Sequence, residues 1–591
     1  MDPKLTASAV NHLDEEGNED QRRAAALATD TDLGGRYILQ FRTFGSICSI
    51  SAAACSAYWG FSPPAAVLTF IAQDIGDGGG NDALFSIIWT MCAAIMMLLL
   101  GRLSDKFGRR YFVLGASATA TVGAIIASTA QNMNTLIGAN VLLGLSAGVQ
   151  SSYALLVGEI VPNQYKWLGI IVVIVPSFVP TGFGAYLGRV LVETATWRWI
   201  YYIQIILMVC CFTLQFIFYK PPNFRQLHGG RTVKQELKRV DYVGIFLLVS
   251  GMSMFLLGIS WGGQPDPWTS PKILCLVIIG GCLLIALAFW DLYSGTPNPI
   301  VPFRVWKDLR GFTSLACIAG CAGAMYVGTT IIWPEQVVKV YGHNIHNWKE
   351  QAWMSTTVSF GLSGGMLFFG SIFHIVKRVR YQLIFKTIVS TAFLGALASC
   401  DRNSMSSAIA FSVIGTFPVG SMEITPQVLI QTTAPDADIG VVYAFLHCFR
   451  TISGAIMTAV FLAIQKSKVP SSIRNKVPPA ALAAGLPQSS IEDLIRVAEE
   501  GGSALSNVPG MTESVQSAVS DALSDAYSAS YAYVYYTVVA LGIVAIAASF
   551  TMYDYDDKLN NHVPKQIYHG KRDIMDEEGP DKLEGSEKEK A

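Results

Sequence analysis

The 591-residue chain is short of charge: 14% of its residues are Asp, Glu, Lys or Arg, and 51% are hydrophobic. A soluble globular chain carries about a quarter charged residues, so this shortage excludes an ordinary multidomain soluble protein. Net charge is −1 and the pI about 6.7, which leaves no basic field to hold a nucleic acid. No G-x-x-x-x-G-K-[ST] stretch occurs, which speaks against an ATP-driven P-loop machine. The eleven cysteines are scattered, nearly all in apolar runs, and none forms a C-x-x-C pair, so neither a disulfide framework nor a zinc site is expected. Eight histidines are dispersed, with His343 and His346 the one close pair, in a loop. Without clustered ligands or a nucleophile beside its base, no enzyme, metal or cofactor is expected. The polar, acidic start of the chain ("DEEGNED") lacks the apolar core of a cleavable signal peptide, so the first spanning helix is expected to act as its own targeting signal.

What the chain has in abundance is long apolar runs. A spanning helix needs roughly 20 mostly apolar residues. Such runs occupy 44–70, 83–101, 111–130, 135–158, 165–188, 198–219, 242–261 and 272–293, then 312–333, 352–375, 381–399, 405–430, 439–465 and 529–552. The expected fold class is therefore an all-α polytopic membrane protein of fourteen spans. Pro63-Pro64 interrupt the first span, and Pro176 and Pro180 the fifth; membrane helices tolerate such breaks where neighbours satisfy the freed carbonyls.

Short loops on one side carry Arg102, Lys106, Arg109 and Arg110, then Lys220 to Arg239, then Arg304, Lys307 and Arg310, then Lys377, Arg378 and Arg380. Opposite loops such as "IGDGGGND" and "CDRNSM" carry few cations. The positive-inside rule then makes both termini cytoplasmic. The organisation expected is a polar N-tail (1–43), a six-helix bundle (44–219), a basic cytoplasmic loop (220–241) and two extra spans (242–293). A cytoplasmic loop (294–311), a second six-helix bundle (312–552) and an acidic, disordered C-tail (553–591) follow. Within the second bundle, the exterior loop 466–528 contains "SSIEDLIRVAEE" and "TESVQSAVSDALSDAYSAS", which read as short amphipathic helix, either surface ornament or a lid.

The loop after the second span reads G-x-L-x-D-x-x-G-R-[RK] through Gly101, Asp105, Gly108, Arg109 and Arg110. Its glycines permit a tight turn, and its acid can accept from a nearby arginine and from free helix amides. Anchoring by positive charge alone needs neither feature. A weaker copy, "GSIFHIVKRVR", follows the tenth span, with His374 in the acid's place and Lys377-Arg378 matching Gly108-Arg109. A degenerate repeat in corresponding halves is what a pseudo-symmetric molecule shows.

These residues resemble the signature of the major facilitator superfamily. "PPAAVLTFIAQDIG" (63–76), "ANVLLGLSAGVQSSYALLVGEIVP" (139–162), "WRWIYYI" (197–203), "YKPPNF" (219–224) and "LGISWGGQPDPWTSP" (257–271) are similar to the fourteen-span drug:proton antiporters. Within these, the chain resembles the fungal trichothecene efflux pump family, which sits close to the siderophore-iron transporters. The resemblance covers about residues 40 to 555.

It implies two six-helix bundles plus an extra pair, rocking by alternating access, and a plasma-membrane protein with no obligate protein partner. Its partners would be a small organic molecule, protons and the lipid bilayer, with the proton gradient as energy source. Export of a toxin, drug or secondary metabolite is the leading activity implied, with proton-coupled uptake of ferric siderophores as its alternative. A non-transporting nutrient sensor would want a longer signalling tail. Two positions depart from the antiporter pattern: Asn140 stands where helix 4 usually has arginine, and Gly184 to Arg189 ("GAYLGR") replaces G-P-x-x-G-G.

Ionisable groups inside spans are costly and usually functional. Glu423 of the twelfth span is the first candidate for proton coupling, against a hydrogen-bonded packing acid. His447 and Arg450 lie three apart on one face of the thirteenth span, where a protonatable ring beside a fixed cation could sense substrate or proton. Arg189 could attract an anionic ligand, and Asp74 and Glu335 read as solvated caps. Glu159 is expected to pair with the Arg109 cluster and complete a conformational latch. Tyr58, Trp59, Trp89, Tyr153, Tyr326 and Trp333 could line an aromatic cavity or belong to interfacial belts.

Overall fold

The computed structural model describes residues 40–76, 82–161, 165–221, 233–262, 267–294, 306–342, 345, 347–433, 439–499, 505 and 508–556. The two terminal tails beyond these bounds, and His343 and His346, lie outside the described residues. Those described are helical nearly throughout. In chain order the long helices are α1 Phe41–Trp59, α2 Asp82–Phe107, α3 Arg109–Ser128, α4 Met133–Gln150 (continued as Tyr153–Ile160), α5 Lys166–Thr194, α6 Arg198–Phe218 and α7 Tyr242–Trp261. After them come α8 Pro271–Tyr293, α9 Ser314–Gln336, α10 Trp348–Val376, α11 Val379–Ala396, α12 Met405–Thr433, α13 Ile439–Ala483 and α14 Glu513–Thr551. Twelve helices among the described residues are long and apolar enough to cross a membrane; α1 and α10 are not in that number.

Local chemistry sets the helix ends. Asn132 caps α4 by accepting from the Thr135 amide at 2.8 Å, and Asp241 caps α7 through the Gly244 amide at 2.8 Å, each satisfying a donor that the first turn leaves free. Gly108, at φ 85°, supplies the left-handed turn from α2 into α3. After Trp59 the chain breaks and continues as Ser62–Ala66 and Leu68–Asp74, around Pro63-Pro64.

By contrast α5 runs unbroken through Pro176 and Pro180. A proline leaves the carbonyl four residues back without its partner, here Val172 and Pro176. Ser51 Oγ donates to the Val172 carbonyl at 2.9 Å, and Cys55 Sγ to the Pro176 carbonyl at 3.4 Å. Helix α1 thus supplies both missing donors. The glycines of α5 let the short helix Ser62–Ala66 that follows α1 close on it: a Cβ at Gly188 would lie 2.7 Å from the Pro63 carbonyl, and one at Gly184 would strike Ser62.

Helices α1–α6 pack mainly among themselves, as do α9–α14, while α7 and α8 pair with each other. The two halves meet where α5 crosses α10 and α2 crosses α13, and α7 leans on α2 and α13. Below, the basic face is the end that carries Arg109 and Arg378, and the opposite face the end that carries Asp74 and Arg402.

The segment 466–528 differs from a loop carrying short helices. Helices α13, with 45 residues, and α14, with 39, run on past the hydrocarbon core, roughly 68 and 58 Å at 1.5 Å per residue against about 30 Å for that core. "TESVQSAVSD" opens α14 rather than forming its own helix, and among the described residues of this segment Ile491–Glu499 is the separate amphipathic helix. The projecting turns bury their own apolar stripe, including Ile473, Val477, Leu494, Val515 and Val519, which is why the helices persist outside the bundle. Arg402 pairs with Asp521 and Asp525 at 2.9 and 3.5 Å, and Ser528 donates to the Cys400 carbonyl at 2.7 Å. Both ties fasten this cap to the α11–α12 turn.

Candidate functional site

The candidate acids and bases of the C-terminal half converge at one place. Glu423 of α12, 1% exposed, forms an ion pair with Arg450 of α13. His447 Nε2 lies 3.2 Å from the Arg450 guanidinium, and its Nδ1 lies 3.4 Å from Gln427 Oε1. That same oxygen accepts from the Tyr443 hydroxyl at 3.0 Å, and Gln427 Nε2 donates to the Glu423 carbonyl at 2.9 Å. Stripes at helical spacing therefore face one another: 423, 427 and 431 on α12, and 443, 447 and 450 on α13.

These contacts define the imidazole as neutral, with its proton on Nδ1 toward Gln427 and the Nε2 lone pair toward Arg450. A second proton on Nε2 would set two donors against each other. Glu423 Oε2 accepts no hydrogen bond among the described residues, so the buried carboxylate keeps one oxygen open to a proton.

Three tyrosines surround the guanidinium: Tyr58 of α1, Tyr153 of the α4 continuation and Tyr326 of α9 all lie within its electrostatic reach. Two come from the first half and one from the second, so the cluster bridges the halves. Arg450 sits eleven residues into α13, roughly 16 Å along its axis, about halfway through a bilayer core. Gly323 lets α9 close on it, since a Cβ there would lie 2.7 Å from Arg450 Cγ.

A second assembly lies on the basic face. Arg109 and Glu159 form a buried pair at 2.6 Å, each side chain 3% exposed. Lys106 and Arg239 approach Glu236 at 3.6 and 3.9 Å, bringing in the short helix Val233–Lys238 within the segment expected to be a basic loop. A Cβ at Gly101 would lie 2.6 Å from Ala444 Cβ and 2.7 Å from the Gly440 carbonyl, so this glycine lets α2 close on α13. Gln431 Nε2 adds a tie between halves, donating to the Ala154 carbonyl at 3.1 Å. Arg110 donates to the Phe216 carbonyl at 3.1 Å. The side chains of Asp105 and His374 lie outside the described residues.

The degenerate repeat is visible in the backbone. Lys377, matched to Gly108, has φ 55°, and Arg378 has φ 51°, so the second copy makes its turn with side-chain-bearing residues in a region that favours glycine. The Asp556 carboxylate accepts from the Arg378 amide at 2.7 Å and holds that turn.

On the opposite face the halves are joined by aromatic rings that the sequence reading did not single out. Tyr186 stacks on Trp353 at 4.3 Å, Phe183 meets Trp353 and Phe360 at 5.9 and 5.7 Å, and Phe178 meets Phe360 at 5.6 Å. Ser363 donates to Thr181 at 2.9 Å beside them. Tyr186 lies in the "GAYLGR" stretch, where the antiporter pattern has its second glycine-rich motif.

Other candidates are held elsewhere. Asp74 accepts from Trp197 Nε1 at 2.8 Å and pairs with Arg198 at 3.3 Å, joining the end of the first span to the start of α6. Arg189 pairs with Glu193 at 2.8 Å and lies over the Phe70 ring at 3.7 Å. Glu335 pairs with Lys339 at 2.6 Å. Asn140 donates to the Phe85 carbonyl at 2.8 Å, a packing bond between α4 and α2. Among the aromatics, Trp59 donates to the Ile200 carbonyl at 2.9 Å, Trp333 to the Met354 carbonyl at 2.9 Å, and Trp89 stacks on Phe61 at 4.2 Å. Only Tyr58, Tyr153 and Tyr326 of that set reach the central cluster.

The sequence profile of the fungal trichothecene efflux pump family (TRI12) matches residues 6–588. The chain is 39% identical over 572 residues to the trichothecene efflux pump TRI12 of Fusarium sporotrichioides, across 95% of this chain and 96% of that protein. It is 40% identical over 576 residues to the protein of the same name from Trichoderma arundinaceum, across 95% and 94%. The MFS-type transporter prx5 of Penicillium rubens is 24% identical over 511 residues, covering 85% of this chain and 90% of that one. With a match over nearly its whole length, the chain belongs to the fungal trichothecene efflux pump family, a branch of the major facilitator superfamily.

Proposed function

We propose that this multi-pass membrane protein exports a small organic toxin of the trichothecene class by alternating access, driven by the proton gradient across the plasma membrane. In this reading α1 and α10 complete fourteen spans, the basic face and both termini are cytoplasmic, and two six-helix bundles move around the Glu423–Arg450 cluster. The observation that carries it is that buried pair of the second half, halfway through the bundle, with Tyr58 and Tyr153 of the first half brought up to its arginine. A buried pair that loses one partner's charge costs several kcal/mol, so its protonation state is a strong lever on conformation.

Protonation of Glu423 puts the proton on its open oxygen and removes the carboxylate charge. Arg450 is then released toward the three tyrosines, where its N–H groups can engage oxygen atoms of a substrate. When the carboxylate loses its proton it reclaims Arg450, and the substrate loses its donors. His447, accepting from Arg450, follows the same exchange. On the cytoplasmic face Arg109–Glu159, Gly101 against α13 and Gln431 form the latch, with Asp105, Gly108, Arg110, His374, Lys377 and Arg378 as further members. The Tyr186–Trp353 seam closes the exterior. Arg189 and Asp74, each already paired, and Asn140, in its packing bond, take no part in proton transfer.

Yeast stripped of its own efflux pumps and siderophore transporters provides the test, with cell accumulation of a labelled trichothecene followed with and without a protonophore. The proposal expects lower accumulation in expressing cells, abolished by the protonophore. Protonophore-sensitive uptake of a labelled ferric siderophore, with no change in the toxin, would overturn it in favour of import.

A further inference from the structure

Lys386 is a buried cation that the proposed mechanism leaves unused. It sits on α11, seven residues from its start, roughly 10 Å along the axis, and is 5% exposed. Its Nζ has three neighbours: Ser421 Oγ of α12 at 2.7 Å, the Phe369 carbonyl of α10 at 3.2 Å and Gln382 Oε1 of its own helix at 3.4 Å. The Phe369 ring lies 5.7 Å away. From α14, Gly542 and Val539 pack on Thr391 and Gly395, further along α11. No carboxylate, tyrosine or second cation faces Nζ among the described residues; His374 lies five residues beyond Phe369 on α10, its side chain outside them.

An amine so deep in a membrane protein without a counter-ion is costly, and such groups mark function. The chemistry of the shell says which. An ammonium has three N–H donors, and Ser421 Oγ, the Phe369 carbonyl and Gln382 Oε1 are three acceptors. A neutral amine has two N–H donors and a lone pair. The carbonyl and Gln382 still accept, while Ser421, a hydroxyl, turns its proton toward Nζ. Both protonation states are satisfied with no heavy atom moving. Ser421 is also 3.4 Å from Thr425 Oγ1, so it has an acceptor for its own proton whenever Lys386 is charged.

The first half of the molecule carries the neutral counterpart. Lys377 corresponds to Gly108 in the repeated turn, which places Lys386 at the position of Ser117, each nine residues on. Ser117 donates to Gln215 at 2.7 Å and accepts from Gln150 at 3.4 Å, a polar node without charge. Packing in this architecture is therefore met by a hydroxyl, and the amine is an addition in the second half.

We infer that Lys386 and Ser421 form a second proton-exchange site of the transport cycle, separate from Glu423 and lying toward the basic face. Its inference rests on the proton-driven reading above. When the basic side opens to solvent the proton passes from Nζ to a water molecule there, one N–H bond breaking as one O–H bond forms, while Ser421 rotates from acceptor to donor; the reverse step returns it.

The test uses the full chain in proteoliposomes, with export of labelled trichothecene measured against pH for wild type, Lys386→Met, Lys386→Arg and Ser421→Ala. Substrate-evoked proton release from detergent-solubilised protein is read in parallel. Wild type is expected to show two titration steps. Lys386→Met and Lys386→Arg should each show one, with fewer protons released per substrate bound. Ser421→Ala, which keeps the amine, should displace one step by about one pH unit, the tenfold change expected from losing one hydrogen bond to a charged group; it also serves if a Lys386 variant fails to fold. Profiles and proton counts that superimpose on wild type in the variants overturn the inference while the proton-driven reading stands. Wild-type export indifferent to pH and to a protonophore overturns both.

Discussion

Gly101→Ala isolates the contact that brings the two halves together on the basic face. The added Cβ would lie 2.6 Å from Ala444 Cβ and 2.7 Å from the Gly440 carbonyl oxygen. Carbon atoms pack at about 3.5–4.0 Å, so α2 and α13 must part by roughly 1 Å there. The backbone oxygen cannot swing aside as a side chain would. Overpacking of this kind costs about 1–3 kcal/mol, and the cost falls on the state in which the basic face is shut. A bias of that size shifts a two-state equilibrium by about 5- to 150-fold. Spin labels introduced as non-natural amino acids at the basic ends of α2 and α13 report the result as a distance distribution. The variant should gain a longer-distance population and export more slowly, with its melting temperature little changed. An unchanged distribution together with wild-type export would refute the reasoning, because the contact would then relax without separating the halves.

Other consequences follow from single contacts. Glu159→Gln takes away the carboxylate charge 2.6 Å from the buried Arg109 guanidinium and should destabilise the protein by about 3–5 kcal/mol, visible as a lower melting temperature in detergent; the double variant Arg109→Met, Glu159→Leu should recover much of it. Trp353→Ala removes the half-exposed ring that Tyr186 stacks on and Phe183 abuts, a loss of about 1–3 kcal/mol for the two ring contacts from the shut state of the opposite face. A reporter cysteine at Phe178 should then react faster with a membrane-impermeant thiol reagent; an unchanged rate counts against the seam as a gate. Arg402→Ala frees the cap from Asp521 and Asp525. These groups are partly exposed, so the melting temperature should fall by no more than about 1 kcal/mol's worth, while limited proteolysis within 466–528 should quicken.

How much was legible depended on the range of the interaction. Spans declare themselves by length and apolarity, and the repeated turn by its spacing, so the helix order and the Gly108–Lys377 correspondence could be read from the chain. Pairing of Glu159 with Arg109 was also readable, because both sit at ends on the same face. The shared face of His447 and Arg450 followed from helical period alone. What pairs Arg450 with Glu423 is the packing of α12 on α13, and no sequence spacing encodes that crossing. Gln427, Gln431, Lys386 and Glu236 gave no signal: an amide or a single charge in a helix acquires meaning only from what faces it. The aromatic seam was hidden for the same reason, since Tyr186 and Trp353 lie far apart in sequence and read as ordinary interfacial rings. Arg189 looked available because its partners, Glu193 and Phe70, are settled by rotamer and tertiary contact. The continuous α13 and α14 were missed because polar, proline-containing turns read as loop until their buried stripe is seen.

In the proposed cycle Glu423 carries the transported proton, and Glu423→Gln in reconstituted vesicles is the sharpest check of that role. Glutamine keeps the shape and a hydrogen-bonding oxygen for Arg450 but can neither take nor release a proton. Two quantities are compared: accumulation of labelled trichothecene driven by an imposed pH gradient, and its exchange across the membrane with no gradient. The account predicts that gradient-driven accumulation is lost while exchange persists. Accumulation against a concentration gradient at the wild-type rate in Glu423→Gln would contradict it.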